Sequence, residues 1–167
     1  LALSVVVAPQ IGRDKAMIWA GLSVLIAVLR VIHLSAYVGA RNRASASWLK
    51  SLNVACGVHG IIWGLAGVFM PVQDLITTVV VVATLVGACC VCSFTLQADI
   101  KPNALMNVPI LLPAALMLFT RQDAYGTFGG FGVLALLGLM MFESRRSERR
   151  VTELLWLRFI TDRIARE

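Results

Sequence analysis

Apolar runs of membrane-spanning length recur along this chain, separated by short polar breaks. A helix that crosses a bilayer needs about 20 predominantly apolar residues. Runs near that length lie at 15–39, 48–70, 74–96, 104–120 and 127–142, and a shorter apolar stretch at 1–8 is interpreted as the end of a further helix. Because hydrophobic residues make up 59% of the chain and charged residues only 14%, a soluble domain is excluded. The sequence predicts an all-α, polytopic membrane helix bundle of six spans, the first of them truncated.

Basic residues are unevenly distributed among the connections between these spans. One side of the membrane receives Arg41, Arg43, Lys50, Lys101, Arg145, Arg146, Arg149 and Arg150, and the other receives only Arg13, Lys15 and Arg121. The positive-inside rule then predicts that the first side, and both termini, are cytoplasmic. This topology explains the net charge of +6, and no nucleic-acid partner is expected. Because the outward connections are only a few residues long, we expect a small or lipophilic ligand that reaches its site within the lipid bilayer.

Polar side chains inside the spans indicate where such a ligand would bind. An ionisable group at mid-depth costs about 2.5–3.5 kcal/mol on insertion scales, so it usually faces the bundle interior. The second span carries one polar stripe and the third carries another, and the two stripes are predicted to face each other. The predicted sensing residues are Arg30, His33, Tyr37, Asn53, His59, Trp63 and Asn107. A purely structural role stays open for each of them, as an interior hydrogen-bonding or packing group.

Cysteine and histidine spacing supplies an alternative based on a metal or haem. Cys89 and Cys92 form C-x-x-C, and Cys56 and His59 form C-x-x-H. Together with His33 these four residues are candidate ligands for copper or zinc. A haem with His33 and His59 as axial ligands would lie on the bare surface of Gly57, Gly60 and Gly64. The simpler interpretation is that the cysteines are free thiols packed as small apolar side chains, with no cofactor.

The fifth and sixth spans contain residues that alter helix packing. Pro109 and Pro113 each remove a backbone donor, which frees the carbonyls of Leu105 and Pro109 and favours a kink. Asn103 and Asn107 share a face and are predicted to satisfy these carbonyls or to bond another helix. Gly126 and Gly130 form G-x-x-x-G at the start of the sixth span, a spacing that permits close helix approach.

Residues 143–167 form a charged segment that is predicted to be helical. The segment contains no Gly or Pro, and its apolar residues recur at three- and four-residue spacings. Leu157, Ile160 and Ile164 fit a heptad pattern, whereas Arg150 and Glu153 interrupt it. Two interpretations stay open: an amphipathic helix lying on the inner leaflet, and a coiled-coil transmission helix that continues the last span.

Several motifs resemble the N-terminal six-helix membrane sensor region of bacterial hybrid histidine kinases and of related diguanylate cyclases. They are Arg30 in the second span, "YVGARNR", "ASWLK", "HGIIWGLAG", P-x-x-D before the fourth span, the prolines of the fifth span and "LLWLRFITDRIARE". The resemblance implies a sensor domain at 1–142 and a transmission helix at 143–167, which leads to an output domain beyond Glu167. It also implies a two-component signal-transduction protein of the bacterial inner membrane, and a homodimer is the default assembly.

The chain itself shows no catalytic site. Both histidines lie inside spans, and no Gly-rich ATP-binding loop is present. We therefore expect an input domain without chemistry of its own, in a full-length protein that would be a histidine kinase or a diguanylate cyclase. A haem- or metal-binding membrane protein and a small transporter or membrane assembly subunit are the alternatives.

Overall fold

The computed structural model describes residues 12–40, 46–69, 74–96 and 98–164, together with Ser4 and Ala8. Within these ranges it contains no strand and five α-helices, which are α1 (Arg13–Gly39), α2 (Ala46–Val68), α3 (Leu75–Thr95), α4 (Ile100–Phe119) and α5 (Ala124–Ile164). All five are long and apolar enough to cross a membrane. The predicted all-helical, membrane-type architecture is therefore confirmed with five candidate spans. The truncated first span predicted at 1–8 lies outside the described residues, apart from Ser4 and Ala8.

Local polar groups define where the helices begin. The carboxylate of Asp74 accepts a hydrogen bond from the backbone N–H of Ile76 at 3.2 Å and caps α3. Asp99 caps α4 in the same way, accepting from the N–H of Lys101 at 2.9 Å. Such caps satisfy backbone donors that a helix N-terminus leaves free, which is why the helices start next to these aspartates.

Helix α4 is the centre of the bundle. It packs most extensively against α2, then against α5 and α3. Half of its most apolar stretch is buried, compared with 11% of that of α1. Its fully buried side chains include Met106, Ile110 and Leu111, which pack with Val81 and Leu85 of α3. Helix α1 packs on α2 and leaves most of its apolar side chains exposed, as expected for a surface in contact with lipid.

The α2–α4 contact brings two helix backbones together. A Cβ atom added at Gly60 would meet the carbonyl oxygens of Met106 and Leu105, and one added at Gly64 would overlap the carbonyl oxygen of Pro109. Leu105 and Pro109 carry the carbonyls that the prolines at 109 and 113 deprive of their usual donors. Both prolines lie inside the continuous helix α4, and the carbonyls they free face the glycines of α2.

The close helix approach predicted at Gly126 and Gly130 is observed. The carbonyl oxygen of Leu118 approaches Gly126, and the ring of Phe119 approaches Gly130. These two glycines therefore allow the start of α5 to pack closely against the end of α4. Gln122, with φ 55°, makes the turn between the two helices.

Helix α5 joins the predicted sixth span and the predicted tail without a break. It contains 41 residues, which corresponds to a length of about 60 Å. The hydrocarbon core of a bilayer is about 30 Å thick, so the helix is about twice as long as a span requires. The predicted boundary between residues 142 and 143 lies inside this helix. Residues 165–167 lie outside the described residues.

Candidate functional site

The polar residues predicted on α1 contact α2 in the structure, but through Ser51 and Trp48, which lie outside the stripe of Asn53, Cys56, His59 and Trp63 predicted on α2. His33 Nε2 and Ser51 Oγ share a hydrogen bond of 2.8 Å. The His33 and Tyr37 rings pack on Trp48, with centroid distances of 5.4 and 5.6 Å. The structure thus joins His33 and Tyr37 to the start of α2.

Aromatic contacts also join the opposite ends of the two helices. The indole N–H of Trp19 donates a 2.7 Å hydrogen bond to the carbonyl of Ile62. The Trp19 and Trp63 rings meet edge to face at 6.0 Å, and His59 stacks on Trp63 at 6.2 Å. Trp63 therefore has a clear packing role between α1 and α2, and His59 lies beside it.

Arg30 lies between these two sets of contacts, on the face of α1 that meets the bundle. Its Nη1 donates to the sulfur of Met106 in α4 at 3.6 Å. Among the described residues it forms no ion pair. A thioether is a weak acceptor, so the guanidinium keeps most of its capacity to bind an oxygen acceptor.

Two buried polar atoms of α2 are also unsatisfied. Asn53 Oδ1 and His59 Nδ1 are buried, and neither has a hydrogen-bond partner within the described part of the chain. An unpaired buried polar atom is costly and is normally bonded to protein, water or ligand. Because Arg30 offers hydrogen-bond donors, a polar group that accepts hydrogen bonds suits its surroundings.

A groove of about 450 Å³ lies between α1 and α2 and is lined in part by Arg30, whereas neither Asn53 nor His59 lines it. Its wall is mostly apolar, with Ile26, Leu29, Val54 and Val58 among its lining residues. Its polar lining residues are Arg30, His33, Lys50 and Ser51. The groove therefore offers an apolar wall and two cationic side chains to an amphipathic molecule.

Asn107, the remaining predicted sensing residue, lies at the α3–α4 interface. Its Nδ2 donates to Ser93 Oγ at 2.9 Å and also bonds the Oδ1 of Asn103, and Ser93 Oγ donates to that same Oδ1 at 3.2 Å. The two asparagines thus bond another helix, which was one of the two predicted outcomes. Sequence reasoning missed Ser93 because hydroxyls are common in spans and only the fold places it opposite the amides.

The structure does not support the metal and haem alternatives. Within the described ranges, no group of three or more His, Cys, Asp or Glu side chains is arranged to hold a metal ion. Cys56 and Cys89 are buried in the apolar core, and all four cysteines are free thiols.

The surface expected for a haem is not found. The surface of Gly60 and Gly64, expected to be bare, is covered by the backbone of α4, and only Gly57 has open space beside it.

Comparison with protein-family models, curated proteins and solved structures finds no match to this chain. The resemblance to the membrane sensor regions of histidine kinases and diguanylate cyclases therefore stays a prediction.

Proposed function

We propose that this chain is the membrane-embedded input domain of a bacterial signalling protein, a sensor histidine kinase of a two-component system. The observation that carries the proposal is the continuity of α5, a single helix from Ala124 to Ile164. A helix is stiff along its axis, so a rotation or shift of its membrane part would be transmitted to its far end. Such helix shifts are an established means of switching between two states.

The polar region around Arg30 is proposed as the input site for a small, lipophilic molecule with a polar head. Arg30 extends from α1 and contacts Met106 of α4, so it links the peripheral helix to the central one. Helix α4 in turn packs against α5. A ligand that engaged Arg30 would change the position of α1 relative to α4, and α5 would respond through this packing.

The end of α5 is proposed to pair with the same segment of a second copy. Leu154, Leu157 and Ile164 are each at least 58% exposed, so the helix carries apolar side chains that no other described helix covers. Two parallel helices would bury these side chains in a short coiled coil. A homodimer with cytoplasmic termini in the bacterial inner membrane is the assembly that this proposal requires.

The decisive experiment changes the rotational phase of α5. The chain is fused after Glu167 to the dimerisation and catalytic domains of a histidine kinase, and autophosphorylation is measured in proteoliposomes. One alanine inserted between Arg149 and Arg150 rotates the distal helix by about 100°. Seven inserted residues restore the phase to within about 20°. We expect the single insertion to change autophosphorylation at least about threefold and the seven-residue insertion to restore it, given typical coupling energies.

Arg30 is tested in the same fusion. Arg30→Ala is expected to change the basal autophosphorylation, whereas Lys15→Ala, which removes a charge from the other end of α1, leaves it unchanged. Autophosphorylation that is unchanged by the insertions in α5 and by Arg30→Ala would contradict the sensor proposal. It would favour the transporter or assembly-subunit alternative.

A further inference from the structure

A second pocket, far along the chain from Arg30, lies where α5 leaves the bundle. It has a volume of about 380 Å³ and is enclosed by α3, the start of α4 and residues 139–150 of α5. This volume falls in the range of about 300–1,000 Å³ that is typical of small-molecule sites. Ser144 lines the pocket, is only 3% exposed, and its Oγ has no hydrogen-bond partner among the described residues.

Several other hydroxyl side chains are satisfied within their own helix. Ser23, Thr84, Thr152 and Thr161 each donate to the carbonyl four residues earlier in the same helix. This internal bond is the usual way in which a helical hydroxyl is satisfied. Ser144 does not make it, and a buried hydroxyl without a partner is costly. The hydroxyl is therefore available to a molecule in the pocket.

The polarity of the pocket is graded along the direction of α5. Leu139 and Met140 line the end nearer the middle of α5, whereas Glu143 and Arg150 lie further toward its C-terminal end and have exposed side chains. Glu143 also pairs with Arg146 at 3.7 Å. Besides these two charged side chains, the polar lining consists of the uncharged Ser93, Asn103, Ser144 and Ser147.

This gradient identifies the class of ligand. A charged head placed beside Ser144 would lose its hydration without gaining a buried counter-charge, which is unfavourable in a membrane protein. An uncharged head can exchange hydrogen bonds with the serines, and an attached chain can lie along the apolar end.

We propose that this pocket binds an uncharged amphiphile, with a hydroxyl, carbonyl or amide head at Ser144 and an apolar chain directed toward Leu139 and Met140. The ligand would contact α5 along residues 139–150, immediately before the exposed part of the helix. The inference goes beyond the proposed function, because it concerns binding alone and holds whether or not the chain is a sensor.

The test is photolabelling of the whole chain in nanodiscs with a diazirine analogue of 1-decanol, followed by mass spectrometry of the labelled peptides. We expect label at residues 90–94 and 139–150, and competition by 1-decanol at lower concentration than by decanoate or decylamine. Ser144→Ala should weaken competition by decanol roughly fivefold, the effect of one lost hydrogen bond. Ser144→Leu should abolish labelling by filling the pocket. The matched control is Thr152→Ala, which removes a hydroxyl of α5 outside the pocket and should change nothing.

A second measurement separates ligand binding from a structural role. Because the Ser144 hydroxyl has no hydrogen-bond partner among the described residues, Ser144→Ala should not lower the Tm of the protein without decanol, whereas loss of a structural hydroxyl would lower it. Several outcomes would overturn the proposal. One is label spread evenly over the lipid-facing helices, and another is competition by decanoate or decylamine that equals or exceeds competition by decanol. The others are competition by decanol that is as strong in Ser144→Ala as in the unaltered protein, and a lowered Tm of that variant.

Discussion

Polar residues inside the bundle are satisfied to very different degrees. The amides of Asn103 and Asn107 are bonded to each other and to Ser93, so they hold α3 against α4. Arg30, in contrast, forms its hydrogen bond within the described residues to the sulfur of Met106. Hydrogen bonds between membrane helices contribute about 0.6 kcal/mol on average, so the amide network stabilises the fold modestly. A bond from a guanidinium to a thioether is weak and contributes little to packing, and this supports the proposed role of Arg30 in ligand binding.

Asp123, in the turn between α4 and α5, provides a test of stability against pH. Its carboxylate accepts from the N–H of Gly126 at 2.7 Å and from Arg121 Nε at 2.8 Å. The hydrogen bond from Gly126, followed by the bond and charge of Arg121, lowers the pKa of Asp123 from its usual value of about 3.9. The ionised Asp123 carboxylate therefore stabilises the folded protein fully at pH values above its usual pKa. This stabilisation is lost as the pH falls through the lower pKa that Asp123 has in the folded protein.

We expect the Tm of the protein in detergent to fall as the pH is lowered from about 5 to about 3, and part of this fall to disappear in Asp123→Asn. Thermal unfolding of the two proteins across this range is the measurement. Parallel pH profiles for the two proteins would show that the turn makes no such contribution.

At the scale of helices, the α2–α4 contact depends on two complementary features. The prolines of α4 free two backbone carbonyls, and the glycines of α2 leave room for these carbonyls to approach. Association of helices in lipid is driven by close packing because lipid chains are as apolar as the side chains they replace. Small residues on α2 therefore contribute more to this contact than large apolar ones would.

Gly64→Ala is expected to destabilise the bundle by about 2–3 kcal/mol, because the new methyl group would overlap the carbonyl of Pro109 and force the helices apart. Gly57→Ala is the matched control. Its methyl group would enter open space, and replacing a helical glycine should stabilise the protein by up to about 1 kcal/mol. Unfolding free energies of both variants in mixed micelles give the comparison. Equal effects at the two positions would be inconsistent with the backbone contact between α2 and α4.

At the scale of the whole molecule, stability is unevenly distributed. Helix α4 is surrounded by three other helices, whereas residues 151–164 of α5 extend beyond them with mostly exposed side chains. Local opening is easiest where few buried contacts would be lost. The end of α5 is therefore expected to be rigid only where a second copy packs against it.

Hydrogen exchange measures this difference. In the monomer, amides of residues 152–164 should exchange roughly 100 times faster than those of residues 103–118 in α4. Protection of residues 152–164 should rise with protein concentration as dimers form, and Leu157→Glu should prevent the rise by placing a charge in the coiled coil. Fast exchange at every concentration would contradict dimerisation through this segment, while α4 serves as the internal control.

Part of the site was predictable from spacing alone. Arg30, His33 and Tyr37 recur at helical intervals, so their common face and its contact with α2 could be anticipated, as the His33–Ser51 bond shows. The pocket at Ser144 could not, because a single serine at the start of the charged segment 143–167 has no distinguishing pattern. The haem prediction was wrong because it treated Gly60 and Gly64 as open surface, when a helix from elsewhere in the chain covers them.

The sequence by itself determined the number of apolar helices between residues 13 and 164 and their approximate limits, because a backbone surrounded by lipid must satisfy its own hydrogen bonds. It also anticipated the helical character of the segment after residue 142. Only the tertiary structure decided that α4 is central, that α1 is peripheral and that Ser144 borders a pocket. Hydrophobicity cannot separate a face that meets lipid from a face that meets another helix, since both surroundings are equally apolar.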